Sequence, residues 1–280
     1  MKSISRTLRA TLLTLCAAVL TMLAAAVPLQ AQDLDVPYVP TPQLVVDRML
    51  ELADVKPGDY VIDLGSGDGR IVISAARMGA MGHGIDLDPE RVEEARENAA
   101  AENVTDRVMF LREDIFETDF SDANVITMYL LTSVNRKLRP RLLETLEPGT
   151  RIVSHSFDMG EWEPDVTESV ETQTGSRHTI YYWVIPARID GSWSWTVGKS
   201  TLSAQIDQRF QEISVSVNQD GSAWTVEEAS LHGERLSLII TNGSLRYVLS
   251  GRASGGTVDG TAQIHQGDTT TKAQWTGTRN

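Results

Sequence analysis

The chain has 280 residues, 41% hydrophobic and 22% charged, proportions that exclude global disorder and supply enough apolar material for one or two packed domains. Its 25 basic and 38 acidic side chains give a formal net charge of −13, which argues against DNA or RNA as a substrate and favours a basic or neutral one. The single cysteine, Cys16, lies in the N-terminal apolar run, so the rest of the chain holds no disulfide, Cys-ligated zinc or cysteine nucleophile.

Lys2, Arg6 and Arg9 precede an uncharged run from Ala10 to Val27 and small or polar residues ending at Ala31. Residues 1–31 read as a secretory signal peptide cleaved after Ala31, or as a retained N-terminal anchor with membrane association. The positive-inside rule sends the domain that follows outward, so an exported, periplasmic or membrane-anchored chain is expected, with an anchor that keeps the domain inside as the alternative. Without the leader's three positive charges the net charge becomes −16. Residues 190–280 carry nine acidic and seven basic side chains, a net of −2, so the excess negative charge sits on the segment between.

A Pro-rich entry, VPYVPTP, leads to an amphipathic helix expected to place Leu44, Val45, Met49 and Leu52 on one side. Strand-like runs follow at 59–65, 82–87, 107–113, 124–131 and 150–157, separated by helical runs such as PERVEEARENAAAEN and SVNRKLRPRLLETL. Pro89 suits the first turn of the former, and Gly149 can close the latter. Strand, helix, strand at this spacing implies right-handed crossovers and a parallel sheet covered on both faces. Residues 32–188 therefore predict a doubly wound, Rossmann-like α/β domain, with runs 165–173 and 178–186 added as an antiparallel pair at its edge. From 189 to 280 short alternating runs are punctuated by QDG, HGE, TNG, SGG and VDG, which predicts an appended antiparallel β-barrel or sandwich. Its tryptophans at 193, 195, 224 and 275 are either a carbohydrate or peptide platform or, as alternating strand aromatics usually are, core.

In DLGSGDGR, Gly65, Gly67 and Gly69 follow a strand and open a helix, with Ser66 between the first two. Such a turn lets a ligand lie against bare backbone. Arg70 stands where a dinucleotide fingerprint has its third glycine, so a pyrophosphate is served less well here than S-adenosylmethionine. Asp63 closes the first strand, where a carboxylate can face the amino group of the cofactor's methionine moiety. Asp86, followed by Leu87, closes the second and suits the ribose hydroxyls. Asp114, followed by Ile115, comes after the third and suits the adenine amine. Acids at the carboxyl ends of three successive parallel strands converge on one crevice, where such sheets bind ligands.

The runs YVIDLGSGDGRIVISAA and GIDLDPERVEEAREN resemble the class I S-adenosylmethionine-dependent methyltransferases. More narrowly, PYVPTP, DLGSGDGRIV, the block YLLTSVNRKLRPRLLETLEPGTRIVSHSF and Trp162 resemble the lysine N-methyltransferases of the ATP synthase c-subunit and the adenine nucleotide translocase, over residues 36–164. The resemblance implies bound S-adenosyl-L-methionine and N-methylation of a protein lysine. The leader and the C-terminal β domain depart from that family's pattern. Transfer from a sulfonium is an in-line displacement for which positioning and desolvation can supply most of the catalysis. Tyr129, after the fourth strand, is expected to shape the methyl pocket and accept a hydrogen bond from the incoming amine, or to be a half-buried strand aromatic. His155 is a candidate general base or a satisfied buried histidine. Tyr38 and Thr41 are placed to close over the cofactor, or simply to lead the chain onto the sheet. The five histidines are widely spaced in sequence and no metal-ligand cluster is expected. A small-molecule methyl acceptor and a non-catalytic cofactor-binding envelope protein are the alternatives.

Overall fold

The apolar runs fold into β1 (Tyr60–Leu64), β2 (Met81–Asp86), β3 (Val108–Arg112), β4 (Val125–Met128) and β5 (Arg151–His155) in a computed structural model that describes residues 38–280. The leader assignment, residues 1–31, lies outside the described residues. Helices α1 (Gln43–Leu52), α2 (Arg70–Arg77), α3 (Pro89–Ala101) and α4 (Thr132–Thr145) alternate with these strands. All four residues of β4 are buried, as a strand covered on both faces requires. The strand order is β3-β2-β1-β4-β5-β7-β6, with β6 (Val166–Glu171) and β7 (Arg177–Val184) antiparallel at the edge. The order reverses between β1 and β4, which opens a crevice at the carboxyl ends of those strands.

The local signals are realised in detail at α3. Pro89 sits in its first turn and the Asp88 side chain accepts from the Glu90 amide at 2.8 Å, the preferred N-cap arrangement. In α1 the buried face is Val45, Val46, Met49 and Leu50, while Leu44 is 48% exposed. Val45 and Met49 of the expected stripe are thus buried and Leu52 partly so, while Val46 and Leu50, rather than Leu44, complete the buried face that packs with Val153 and Ile180.

The C-terminal segment forms a closed eight-stranded barrel, β8 (Gly191–Val197), β9 (Ser200–Arg209), β10 (Glu212–Gln219), β11 (Ser222–His232), β12 (Arg235–Thr241), β13 (Arg246–Ser254), β14 (Thr257–Gln266) and β15 (Thr269–Arg279). Pairing of β15 with β8 closes it. Eight strands leave an interior just wide enough for side chains to fill. Trp193, Trp195, Trp224 and Trp275 fill it, all at most 5% exposed, so they are core rather than a binding platform.

Sheet and barrel belong to one compact unit. At their joint Trp162, fully buried, donates through Nε1 to Gln211 Oε1 at 2.7 Å, and its ring stacks on Phe210 with centroids 5.8 Å apart. Gln208 adds bonds to the carbonyl of Ala187 and the amide of Ile189.

Candidate functional site

Beyond Leu64 the chain turns over five residues into α2, with Gly65, Gly67 and Gly69 at φ of +77°, +52° and +79°. A Cβ on Gly67 would lie 2.4 Å from the ring of Tyr38, so this position needs glycine for both conformation and space. Tyr38 therefore covers the turn, with the Arg91 guanidinium 4.9 Å from its ring centre. The turn is tied down by Gly65 and Ser66 amides that both donate to Ile85 O at 2.9 Å. Asp86 accepts from the Gly67 and Asp88 amides, each at 2.9 Å. A carboxylate has about four lone-pair directions, so these two bonds leave capacity for a diol. Leu87 is half-buried, its carbonyl taking Arg112 Nε at 3.2 Å.

Asp63 is 1% exposed and receives a 2.7 Å hydrogen bond from the Thr127 hydroxyl. Burial pushes its carboxyl up to about 8; the Thr127 bond opposes that shift, and the charges of Asp86 and Asp68 add to it. The carboxyl of Asp68 is instead held down by Arg70, which grips it through Nε and Nη2 at 2.5–3.0 Å and reaches the Thr41 carbonyl at 2.8 Å. Arg70 thus fastens the entry segment to the glycine turn. Asp114 is half-buried and accepts from the Phe116 amide at 2.8 Å. Ile115 packs beside it against the core, and Arg141 of α4 backs this loop through the carbonyls of Ile115 at 3.4 Å, Glu117 at 3.2 Å and Thr118.

On the other side of the crevice Tyr129 lies on His155, with ring centres 3.9 Å apart. His155 is wholly buried, its Nδ1 3.1 Å from Thr41 Oγ1 and its Nε2 2.9 Å from His178 Nδ1. Burial, and then the charge of His178, lower its pKa to about 4. Both nitrogens of His155 are engaged within the protein, so it presents no open nitrogen to a substrate. Thr41 turns its hydroxyl to this histidine and not to the glycine turn. The spaced histidines are not all dispersed in space, because antiparallel pairing of β5 with β7 brings His155 and His178 together. Val39, Pro40, Pro42, Leu44, Tyr129, His178 and the β6–β7 turn line a groove of about 620 Å³. Among the described residues no group of three or more potential ligands could hold a metal.

These residues fit S-adenosylmethionine. Among the described residues Asp63 is a buried carboxyl with no cation bonded to it, suited to an ammonium, and the Ser66 hydroxyl is buried without a partner; Asp86 has acceptor capacity facing the turn. Three contributors escaped the sequence reading. Thr127 and His178 are signalled only by strand register, and Arg141 only by loop packing.

A family model described as the ANTKMT methyltransferase domain matches residues 63–166. A protein-lysine N-methyltransferase from Saccharolobus islandicus is 46% identical over 153 residues, covering 54% of this chain and 94% of that protein. The adenine nucleotide translocase lysine N-methyltransferase of Mus musculus is 37% identical over 141 residues, 49% of this chain and 59% of that protein. Among solved structures, an RNA methyltransferase from Salinibacter ruber in complex with S-adenosyl-L-homocysteine is 57% identical with a TM-score of 0.50, covering 54% of this chain and 96% of that one.

Proposed function

Because the chain belongs to the ANTKMT methyltransferase-domain family of S-adenosyl-L-methionine-dependent methyltransferases, we propose that it methylates the ε-amine of a lysine in a protein. When bound, the cofactor supplies an electrophilic methyl group on a sulfonium. Asp63 holds its amino group, Asp86 its ribose, and the loop at Asp114 and Ile115 its base. Tyr38 and Leu130 close the glycine turn from either side and exclude water, and Tyr129 walls the path by which the acceptor enters.

The observation that carries the choice of acceptor is the groove lining, which is apolar or hydroxyl-bearing at Val39, Pro40, Pro42, Leu44, Thr172 and Thr174, with no lysine or arginine among the described residues. A lysine side chain with a neutral surround fits such walls; a phosphate backbone finds no counter-charge. In the basic run of α4, Arg136 and Lys137 are exposed, and none of its four cations lines the groove. Arg139 donates to Met159 O at 2.7 Å, Arg141 to the 115–118 loop, and Lys137 stands 3.7 Å over Phe116. The relation to an RNA methyltransferase makes RNA the reading to exclude.

The leader motif extends the proposal to an envelope location. Tritiated methyl transfer by the full chain into envelope protein, soluble protein and total RNA separates the readings. Label recovered as methyl-lysine after acid hydrolysis of envelope protein is the expected result. Label confined to RNA, or to small molecules, overturns it.

A further inference from the structure

In β5 and β7, His155 stands opposite Ile180, which sets His178 diagonally across on the same face of the sheet. The imidazoles meet Nε2 to Nδ1 at 2.9 Å. Behind His155, Thr41 Oγ1 lies 3.1 Å from Nδ1, and Tyr129 covers the ring. The backbone holds this geometry closely. Ser156 adopts a left-handed φ of +62°, uncommon for a residue with a Cβ, while its amide donates to Thr179 O at 2.7 Å. In front, His178 lines the groove beside Tyr129, Val39 and Pro42. Among the described residues nothing bonds its Nε2.

An amine in water is held as an ammonium with a pKa of about 10.4, so its nitrogen needs a lone pair before it can attack. Resting on the lysine reading above, we propose that His178 accepts that proton at Nε2, with His155 and Thr41 as positioning residues that set its tautomer. The ammonium N–H bond breaks, its electron pair stays on nitrogen, and the proton bonds to Nε2, so the positive charge passes to the imidazole. For Nε2 to be the bare nitrogen, His178 Nδ1–H donates to His155 Nε2, and His155 Nδ1–H donates to Thr41 Oγ1. Two donors therefore run inward from the groove, and the imidazolium keeps the same bond to His155. Burial holds His155 neutral, so it remains an acceptor throughout the physiological range. Few other titratable groups meet the pair: Tyr129 on the ring of His155, the Glu171–Arg177 pair beside His178 on the hairpin, and Glu168, bonded to Arg48 of α1, on β6.

The test uses the full chain labelled with 15N-histidine. Two-bond imidazole correlations at neutral pH, assigned with H155N and H178Q, are expected to show Nδ1–H tautomers for both residues. Thr41→Val is expected to redistribute the proton on His155. In methyl-lysine formation on total cell protein, H178Q is expected to lose roughly 100-fold at pH 7 and to recover most of that by pH 9.5. Calorimetric affinity for S-adenosylmethionine should stay within about twofold of the unsubstituted chain, since proton transfer and cofactor binding are separate contributions. An Nε2–H tautomer at His178, or an H178Q pH profile parallel to that of the unsubstituted chain, overturns the role of His178 while leaving lysine methylation standing. Absence of methyl-lysine with the unsubstituted chain at every pH overturns the lysine reading and this inference with it, whatever the tautomers.

Discussion

In the role proposed for Asp63, one proton would couple the fold to the cofactor. Its folded pKa, pushed up to about 8, lies above the ordinary carboxylate value of 3.8. Between those pH values the folded chain holds a proton that the unfolded chain has released, so stability falls as pH rises through that window. Asp63→Asn removes the titration. Without cofactor, D63N is expected to melt several degrees above the parent at pH 8.5 and close to it at pH 4. The same substitution removes the counter-charge for the cofactor's ammonium, and a charge-assisted hydrogen bond of about 1.5–3 kcal/mol predicts a roughly 10- to 100-fold weaker Kd. Thermal scans at both pH values and calorimetry decide this; a lower melting point at pH 8.5 with unchanged affinity defeats it. Asp63 and Asp86 were legible in the sequence because each closes a strand at a fixed distance from the glycine turn. His178 was not, because its neighbour lies 23 positions away and only the β5–β7 register joins them.

At the scale of elements, part of the basic run of α4 acts as a brace: Arg136 and Lys137 are exposed, while Arg139 and Arg141 turn to backbone carbonyls of neighbouring loops. The Arg141 guanidinium lies 4.6 Å from the ring centre of Phe120 and donates to carbonyls at 115, 117 and 118. It thereby fixes the loop whose first residue, Asp114, caps its own turn. Removing several bonds from one cation frees the loop without touching the glycine turn. Arg141→Ala is expected to weaken cofactor affinity by roughly 5- to 13-fold, on the basis of about 1–1.5 kcal/mol for the lost bonds, and to spare the pH profile. Calorimetry and a pH–rate series check this; an unchanged Kd excludes the brace. The same contrast explains why Leu44 of the expected α1 stripe is exposed while Val46 and Leu50 join Val45 and Met49 in the core, since period alone leaves the width of the stripe open and the packing of Val153 and Ile180 sets it.

Across the whole molecule, the alternating pattern from residue 190 onward pointed to an antiparallel β domain but could not choose between barrel and sandwich. That choice rests on the pairing of β15 with β8, about 80 residues apart, a contact no local pattern encodes. Trp162 stood out only as part of a family resemblance. In the fold it joins the layers: its Nε1 donates to Gln211 of the barrel, and its carbonyl accepts from Trp183 Nε1 of β7 at 2.9 Å. Because Trp162 is fully buried, Gln211→Ala leaves an indole N–H without an acceptor, at a cost of about 1–3 kcal/mol. For a chain of this size each kcal/mol lowers Tm by roughly 2–4 °C. If sheet and barrel unfold together, scanning calorimetry of the full chain shows one transition, and Q211A moves all of it downward by that amount. The outcome contrary to this is a pair of transitions of which only one shifts, which would make the barrel an independent module hung on the methyltransferase sheet.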